Sequence, residues 1–145
     1  MITHLEELSI NAWPALQTML VDGWVIRFAN GYTRRANSIN PLYASSLALD
    51  EKLRFCEALF QAHKLPLVFK LTPAVFPVDL DARLAAAGFA REAETQVQTL
   101  DLQTLQFQPA AGLILQDNLT DEWLQAYCRM SAVSADRQAT LRPAN

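Results

Sequence analysis

Two extended runs, Trp24-Val25-Ile26-Arg27-Phe28-Ala29 and Tyr32-Thr33-Arg34-Arg35-Ala36-Asn37-Ser38-Ile39, flank the dipeptide Asn30-Gly31. Asn-Gly tolerates the two positive φ angles of a type I′ turn, whose twist matches that of paired strands, so the sequence predicts a β-hairpin over residues 24–39. With a two-residue loop the register follows: Ala29 faces Tyr32, Phe28 faces Thr33, Arg27 faces Arg34, Ile26 faces Arg35, Val25 faces Ala36 and Trp24 faces Asn37. Arg27 directly across from Arg34 is a like-charge pair that stays charged at any ordinary pH. An acidic side chain, solvent or a bound anion must offset it. Arg27 and Arg34 are therefore candidates for holding an anion or substrate, joined by Trp24, Arg35 and Asn37 on the opposite face of the same hairpin. Each has a structural alternative: Trp24 as a core aromatic, and Asn37, like Asn40, as a turn cap before Pro41.

Around the hairpin the period changes. Residues 3–10 carry Leu5 and Leu8 at helical spacing and must stop near Trp13-Pro14, where proline removes a donor and restricts its predecessor. From an Asp50 cap, Leu49, Leu53, Cys56, Leu59, Phe60 and His63 form one stripe, with Glu51, Lys52, Arg54, Glu57 and Gln61 away from it, predicting a helix over 50–63. Leu67-Val68-Phe69-Lys70-Leu71 then reads as a strand, and the strand-helix-strand crossover predicts that it lies parallel to the second hairpin strand. A second helix runs from Asp79 to Ala87 and closes at Gly88-Phe89 in a Schellman pattern; residues 94–102 follow as a polar-faced strand. Residues 103–112 are rich in Gln, Pro and Ala and read as a linker. Beyond it Leu113-Ile114-Leu115-Gln116 reads as a strand, and Thr120 caps a helix with Trp123, Leu124, Tyr127 and Met130, of which Trp123 and Tyr127 are expected in a core. Residues after Val133 lack periodicity and are expected to fray. The organisation is thus a module over 1–102, a linker over 103–112 and an incomplete second unit over 113–145.

Composition narrows the chemistry. The chain has 145 residues with 12 Lys+Arg against 15 Asp+Glu, a balance that argues against nucleic acid or an anionic membrane as partner. Only 4 glycines are present, none grouped as a phosphate-cradling loop requires. His4 and His63 are too few and too scattered for a metal site or a catalytic triad, so no metal is expected. Cys56 and Cys128 lie in apolar helical patterns, no apolar run approaches the ~20 residues of a membrane span, and the first seven residues lack a signal peptide's basic and apolar regions. A cytoplasmic protein starting at Met1 is expected.

The block Asn11-Ala12-Trp13-Pro14-Ala15-Leu16 and the run from Asp22 to Leu42, with Leu71-Thr72-Pro73, Leu84-Ala85-Ala86-Ala87-Gly88-Phe89 and Thr95-Gln96-Val97-Gln98, resemble the N-terminal half of a group of bacterial GNAT-family N-acetyltransferases. The resemblance implies an α/β (α+β) fold with a GNAT-like, mixed, mostly antiparallel sheet, one parallel strand pair and flanking helices. It implies acetyl-CoA as cofactor and the amine of a small molecule or peptide as acceptor, and leaves room for a homodimer. In such proteins a second half carries the pyrophosphate loop, Arg/Gln-x-x-Gly-x-Gly/Ala. Where a glycine-rich loop should open the first crossover helix, this chain has Asn40-Pro41-Leu42-Tyr43-Ala44-Ser45-Ser46-Leu47-Ala48-Leu49. Ile39, Asn40, Ser45 and Ser46 are the cofactor-binding candidates, through strand backbone, free N–H groups and hydroxyls. Tyr43 as the acid for the leaving thiolate and Glu94 as a base are the catalytic candidates. Two functions remain open: an acetyltransferase, or a degenerate non-catalytic module that shapes the substrate site or a dimer interface for a catalytic half.

Overall fold

A computed structural model describes residues 1–106 and 111–141. Helix α1 spans Ile2–Ala12 and ends ahead of Pro14 as the sequence dictates. The sheet then begins earlier than predicted. Strand β1 (Gln17–Val21) turns at Asp22-Gly23 into β2 (Trp24–Phe28), pairing antiparallel with Val21 opposite Trp24 and Gln17 opposite Phe28. Asp22 and Gly23 have φ of 40° and 83°, the two positive values a two-residue I′-type loop needs. Gly23 is obligatory: a Cβ there would lie 2.4 Å from the Ala44 carbonyl oxygen.

The expected turn at Asn30-Gly31 forms, with φ of 49° and 74° and Tyr32 N donating to the Ala29 carbonyl at 2.8 Å, but the predicted ladder does not follow it. Thr33 takes φ of 58° and Arg34–Ala36 wind into a 3₁₀ turn, so the returning chain leaves the sheet and rejoins only at β3 (Ile39–Pro41). Ile26 faces Ile39 rather than Arg35, and Trp24 faces Pro41 rather than Asn37. The Asn37 side chain supplies what the ladder would have. Its Oδ1 accepts from Ala29 N at 2.8 Å and Gly31 N at 3.0 Å, and its Nδ2 donates to the carbonyls of Tyr32 and Thr33.

Among the described residues the sheet is three-stranded, in the order β1-β2-β3, with both strand pairs antiparallel. Residues 67–71 form no strand. Their contact with β3 is a single parallel bridge, in which Ile39 N donates to the Val68 carbonyl and Lys70 N to the Ile39 carbonyl, each at 2.8 Å. Helix α2 (Leu49–Ala62) lies between β3 and this bridge; its N-cap is Ala48, without a side-chain cap, rather than Asp50. Helix α3 (Leu80–Ala86) ends as predicted: Gly88 has φ of 91°, Phe89 N bonds the Leu84 carbonyl and Gly88 N the Ala85 carbonyl, each at 3.0 Å. These are the two bonds of a Schellman cap.

Alternation along β2 puts Trp24, Ile26 and Phe28 into one core with Ile39, Leu49, Cys56, Phe60, Val75, Leu80 and Leu84. Aromatic edges lock it: Phe69 stands T-shaped to Trp24 at 5.4 Å and to Phe89 at 5.6 Å between ring centroids. The predicted α2 stripe holds for Leu49, Cys56 and Phe60, yet Lys52, expected on the polar face, is buried. On the other face of β2, Arg27 is only 1% exposed and donates to the carbonyls of Ile10, Trp13 and Arg35. Burial, then the charge of Arg35, lowers its pKa. Glu6, buried on α1, pairs with Lys70.

The chain divides into two units, Met1–Phe89 with the described residues from Ala135 onward, and Ala90–Ser134. Helix α5 (Ala135–Leu141) occupies the segment expected to fray, and Thr140 accepts from Asn30 Nδ2 at 3.5 Å. In the second unit, residues 94–102 and 113–116 form no strands. Their apolar side chains, Val97, Leu100, Leu113, Ile114 and Leu115 among them, are exposed, because no neighbouring strand among the described residues offers them a ladder. Helix α4 (Asp121–Met130) is capped by Thr120, whose hydroxyl accepts from Trp123 N at 3.2 Å. Leu124 and Cys128 are its buried residues. Trp123 is 54% exposed and stacks on Tyr127, not in a core. Of the predicted linker, residues 107–110 lie outside the described residues, and Leu102–Thr104 form a 3₁₀ turn.

Candidate functional site

The β1–β2 turn, the loop after β3 and the first turn of α2 meet around Trp24. Lys52 sits one turn into α2 from Leu49, which carries its ammonium under the sheet: Nζ lies 4.0 Å from the centre of a Trp24 ring, donates to the Asp22 carbonyl at 2.6 Å and pairs with Asp22 Oδ2 at 3.2 Å. Burial lowers the Lys52 pKa, opposed by its hydrogen bond and ion pair to Asp22. Asp22 in turn accepts from Ser46 N and Leu47 N at 2.9 Å and from the Ser46 hydroxyl at 2.9 Å. The backbone bonds from Ser46 and then Leu47 hold its carboxyl well below the usual carboxylate range, against the opposing effect of burial.

Beside this cluster opens a cavity of about 190 Å³. Leu47, Leu49, Phe76 and Pro77 form its apolar walls, and Trp24, Ser45, Lys52 and Arg83 its polar ones. Among the described residues, no carboxylate lines it. The indole Nε1 of Trp24 is buried and has no acceptor among the described residues. A neighbouring, mainly apolar cavity of about 110 Å³ lies against Val21, Trp24, Leu47, Phe55 and Cys56, with Glu51 and Lys52 at its polar positions.

The sequence candidates divide accordingly. Trp24 and Ser45 line the larger cavity, and Ser46 reaches the Asp22 cluster beneath it. Ile39 and Asn40 are buried in β3. Asn40 Nδ2 donates to the carbonyls of Val25 and Ser38 and to the Ser38 hydroxyl, while its Oδ1 has no donor. Arg27 and Arg34 do not face each other: Arg27 is buried against backbone carbonyls, whereas Arg34 and Arg35 stand exposed in the 3₁₀ turn. Asn37 spends its side chain on four loop bonds. Tyr43 donates its hydroxyl to Glu7 Oε1 at 2.8 Å, which, with burial, raises its pKa. Glu94 is an exposed residue of the second unit.

Sequence reasoning missed Asp22, Lys52 and Arg83. The signals were present. Asp-Gly is as good a hairpin turn as Asn-Gly, and a lysine three residues after Leu49 falls on the apolar stripe of α2 rather than off it.

Fold and cavity together define an α+β domain with a small pocket lined by apolar and polar residues. Residues 1–142 match a family described as "Probable histone acetyltransferase Rv0428c C-terminal", and the chain belongs to that family. It is 29% identical over 126 residues to a protein of Mycobacterium tuberculosis (strain ATCC 25618 / H37Rv) named "Probable histone acetyltransferase Rv0428c". The alignment covers 87% of this chain and 38% of that relative, so the chain spans well under half of the curated relative's length. No solved structure matches. Among the described residues, no helix is long and apolar enough to cross a membrane.

Proposed function

We propose that the chain is part of a GNAT-type acetyltransferase that moves an acetyl group from acetyl-CoA to the amine of a small molecule or peptide, and that this stretch shapes the acceptor side rather than gripping the cofactor's pyrophosphate. The family match supports the acetyl-transfer reading. The division of labour rests on one observation. The loop between β3 and α2, where such a fold would cradle the pyrophosphate, has its Ser46 and Leu47 N–H groups already bonded to the Asp22 carboxylate. A diphosphate entering there would meet a fixed negative charge and no free amide at these two residues. The residues of this loop do not fit the group.

Two measurements test the reading. Calorimetry of acetyl-CoA on this chain is expected to show no binding tighter than about 100 μM, because helix-terminal N–H groups without a glycine nest leave little beyond ~5 kcal/mol. In the protein as its gene encodes it, amine-dependent release of the CoA thiol is expected, and Asp22→Asn should leave the KM for acetyl-CoA within about twofold, since a group that does not touch the cofactor contributes no differential binding. Failure of every amine to release thiol would overturn the acetyltransferase reading. A low-micromolar affinity of this chain, or a tenfold change in that KM, would return the pyrophosphate to the loop.

A further inference from the structure

The smaller cavity, of about 110 Å³, is built from three segments of the first unit. Val21 and Trp24 face each other where β1 turns into β2. Leu47 is fixed in the loop before α2 by its backbone N–H, which donates to Asp22 Oδ2 at 2.9 Å. The first two turns of α2 supply two adjacent i, i+4 pairs, Glu51 with Phe55 and Lys52 with Cys56. Leu47 is 46% and Phe55 44% exposed, so apolar surface on two sides of the cavity meets solvent. Covering that surface with an apolar group is favourable. The two charged residues of the lining differ. Lys52 is committed to Asp22, whereas Glu51 is exposed and has no ion-pair partner among the described residues.

We propose that this cavity takes the apolar tail of a small free amine, whose ammonium stays at the rim on the side of Glu51; that such an amine is the acetyl acceptor rests on the acetyl-transfer reading above. The volume limits the tail. A cavity of ~150 Å³ takes a benzene ring, so about 110 Å³ suits a straight chain of roughly three to five carbons. Charge sets the head group: an ammonium complements the unpaired Glu51, and an anion with the same tail meets like charge there. A lysine side chain within a peptide is a poor fit, because the end of its stem that has to enter the cavity is joined to backbone.

The backbone amides of Leu47 and Phe55 in a ¹H–¹⁵N spectrum of this chain report occupancy. Straight-chain amines from ethylamine to heptylamine are titrated at constant pH and ionic strength. The dissociation constant is expected to fall by up to about fourfold per added methylene as far as pentylamine, to reach the order of 1–10 mM there, and to level off beyond it once the cavity is full. Pentanol, the same tail without the cation, should bind about two- to fivefold more weakly than pentylamine, and pentanoate more weakly still. Glu51→Gln, an exposed change that leaves the apolar walls in place, should weaken pentylamine by the same about two- to fivefold and leave pentanol unchanged. Unmoved Leu47 and Phe55 amides, an affinity that climbs undiminished to heptylamine, equal binding by pentanoate, or a Glu51→Gln protein that binds pentylamine as tightly would each overturn the proposal. Thiol release tests the underlying reading separately: pentylamine bound at Leu47 and Phe55, with no amine releasing thiol from acetyl-CoA, would uphold the amine site and overturn the acetyl-transfer reading.

Discussion

Asp22 is tied to Ser46 twice, accepting from the Ser46 backbone N–H and from its hydroxyl, each at 2.9 Å. The pair joins the β1–β2 turn to the loop that leads into α2, and these bonds favour the ionised carboxyl. The sign of the pH effect follows. A carboxylate whose pKa is depressed on folding contributes stability that is present above the unfolded value of about 3.9 and is lost as pH falls through the folded value. Asp22→Asn should therefore melt below the parent protein at pH 7, and the gap should narrow as pH falls from about 4 towards 2. Melting curves of both proteins across that range are the check; a gap independent of pH would show that the carboxylate charge is immaterial.

Gly23 tests the close approach of the same two segments. A Cβ would meet the carbonyl oxygens of Ala44 at 2.4 Å and Tyr43 at 2.5 Å, both backbone, and φ is 83°. Neither neighbour can swing aside as a side chain tip would. Gly23→Ala is expected to cost at least about 2 kcal/mol in urea unfolding, combining positive-φ strain with displaced backbone. Gly88, which has open space around its Cβ position, provides the contrast: Gly88→Ala carries the φ strain alone and should cost about 1 kcal/mol.

Asn37 replaces four ladder bonds with side-chain bonds. Removing them in Asn37→Ala leaves the N–H groups of Ala29 and Gly31 and the carbonyls of Tyr32 and Thr33 without that partner. The expected loss is about 2–3 kcal/mol, since the bonds centre on a buried side chain. Asn37→Asp keeps the two acceptor bonds but sets a carboxylate oxygen against the Tyr32 and Thr33 carbonyls in place of Nδ2, so at pH 7 it should cost at least as much as Asn37→Ala; an Asp variant as stable as the parent would mean that the Nδ2 bonds do not hold the loop.

What could be read from the sequence was local. The Gly88-Phe89 cap, the Thr120 cap and the turn at Asn30-Gly31 all formed, because each depends on a few consecutive residues and their permitted φ. The ladder beyond Asn30-Gly31 failed for a reason invisible to alternation: Asn37 competes with the strand by bonding the backbone of the turn, and Thr33 abandons the extended conformation. Strand character at residues 94–102 and 113–116 depends on a partner edge, which pattern alone cannot supply. The cavity was partly legible, through Trp24 and Ser45. Lys52 was signalled by its place on the α2 stripe, whereas Arg83 was not, since which exposed helix residue borders a cavity depends on the loop packed beside it.

Cys56 allows a test of the core from the alkaline side. It is 1% exposed beside Lys52, and burial pushes its thiol up to about 11, with the Lys52 charge opposing. For an acid whose folded pKa is raised, stability is fully present below the unfolded value of about 8.5 and is lost as pH climbs towards the folded one. Lys52 acts oppositely: its lowered pKa lets it lose its proton more readily in the folded state, which favours folding at the alkaline end. The two are separated by comparing the parent protein with Cys56→Ala. The variant pays a packing cost at every pH, yet between about pH 8.5 and 10.5 its urea midpoint should fall less steeply than the parent's. Alkylation should agree, with Cys56 resisting iodoacetamide at pH 8 in the folded protein and reacting once urea unfolds it. Parallel pH dependences in the two proteins, or rapid labelling of folded Cys56, would mean that the thiol is neither sealed nor shifted.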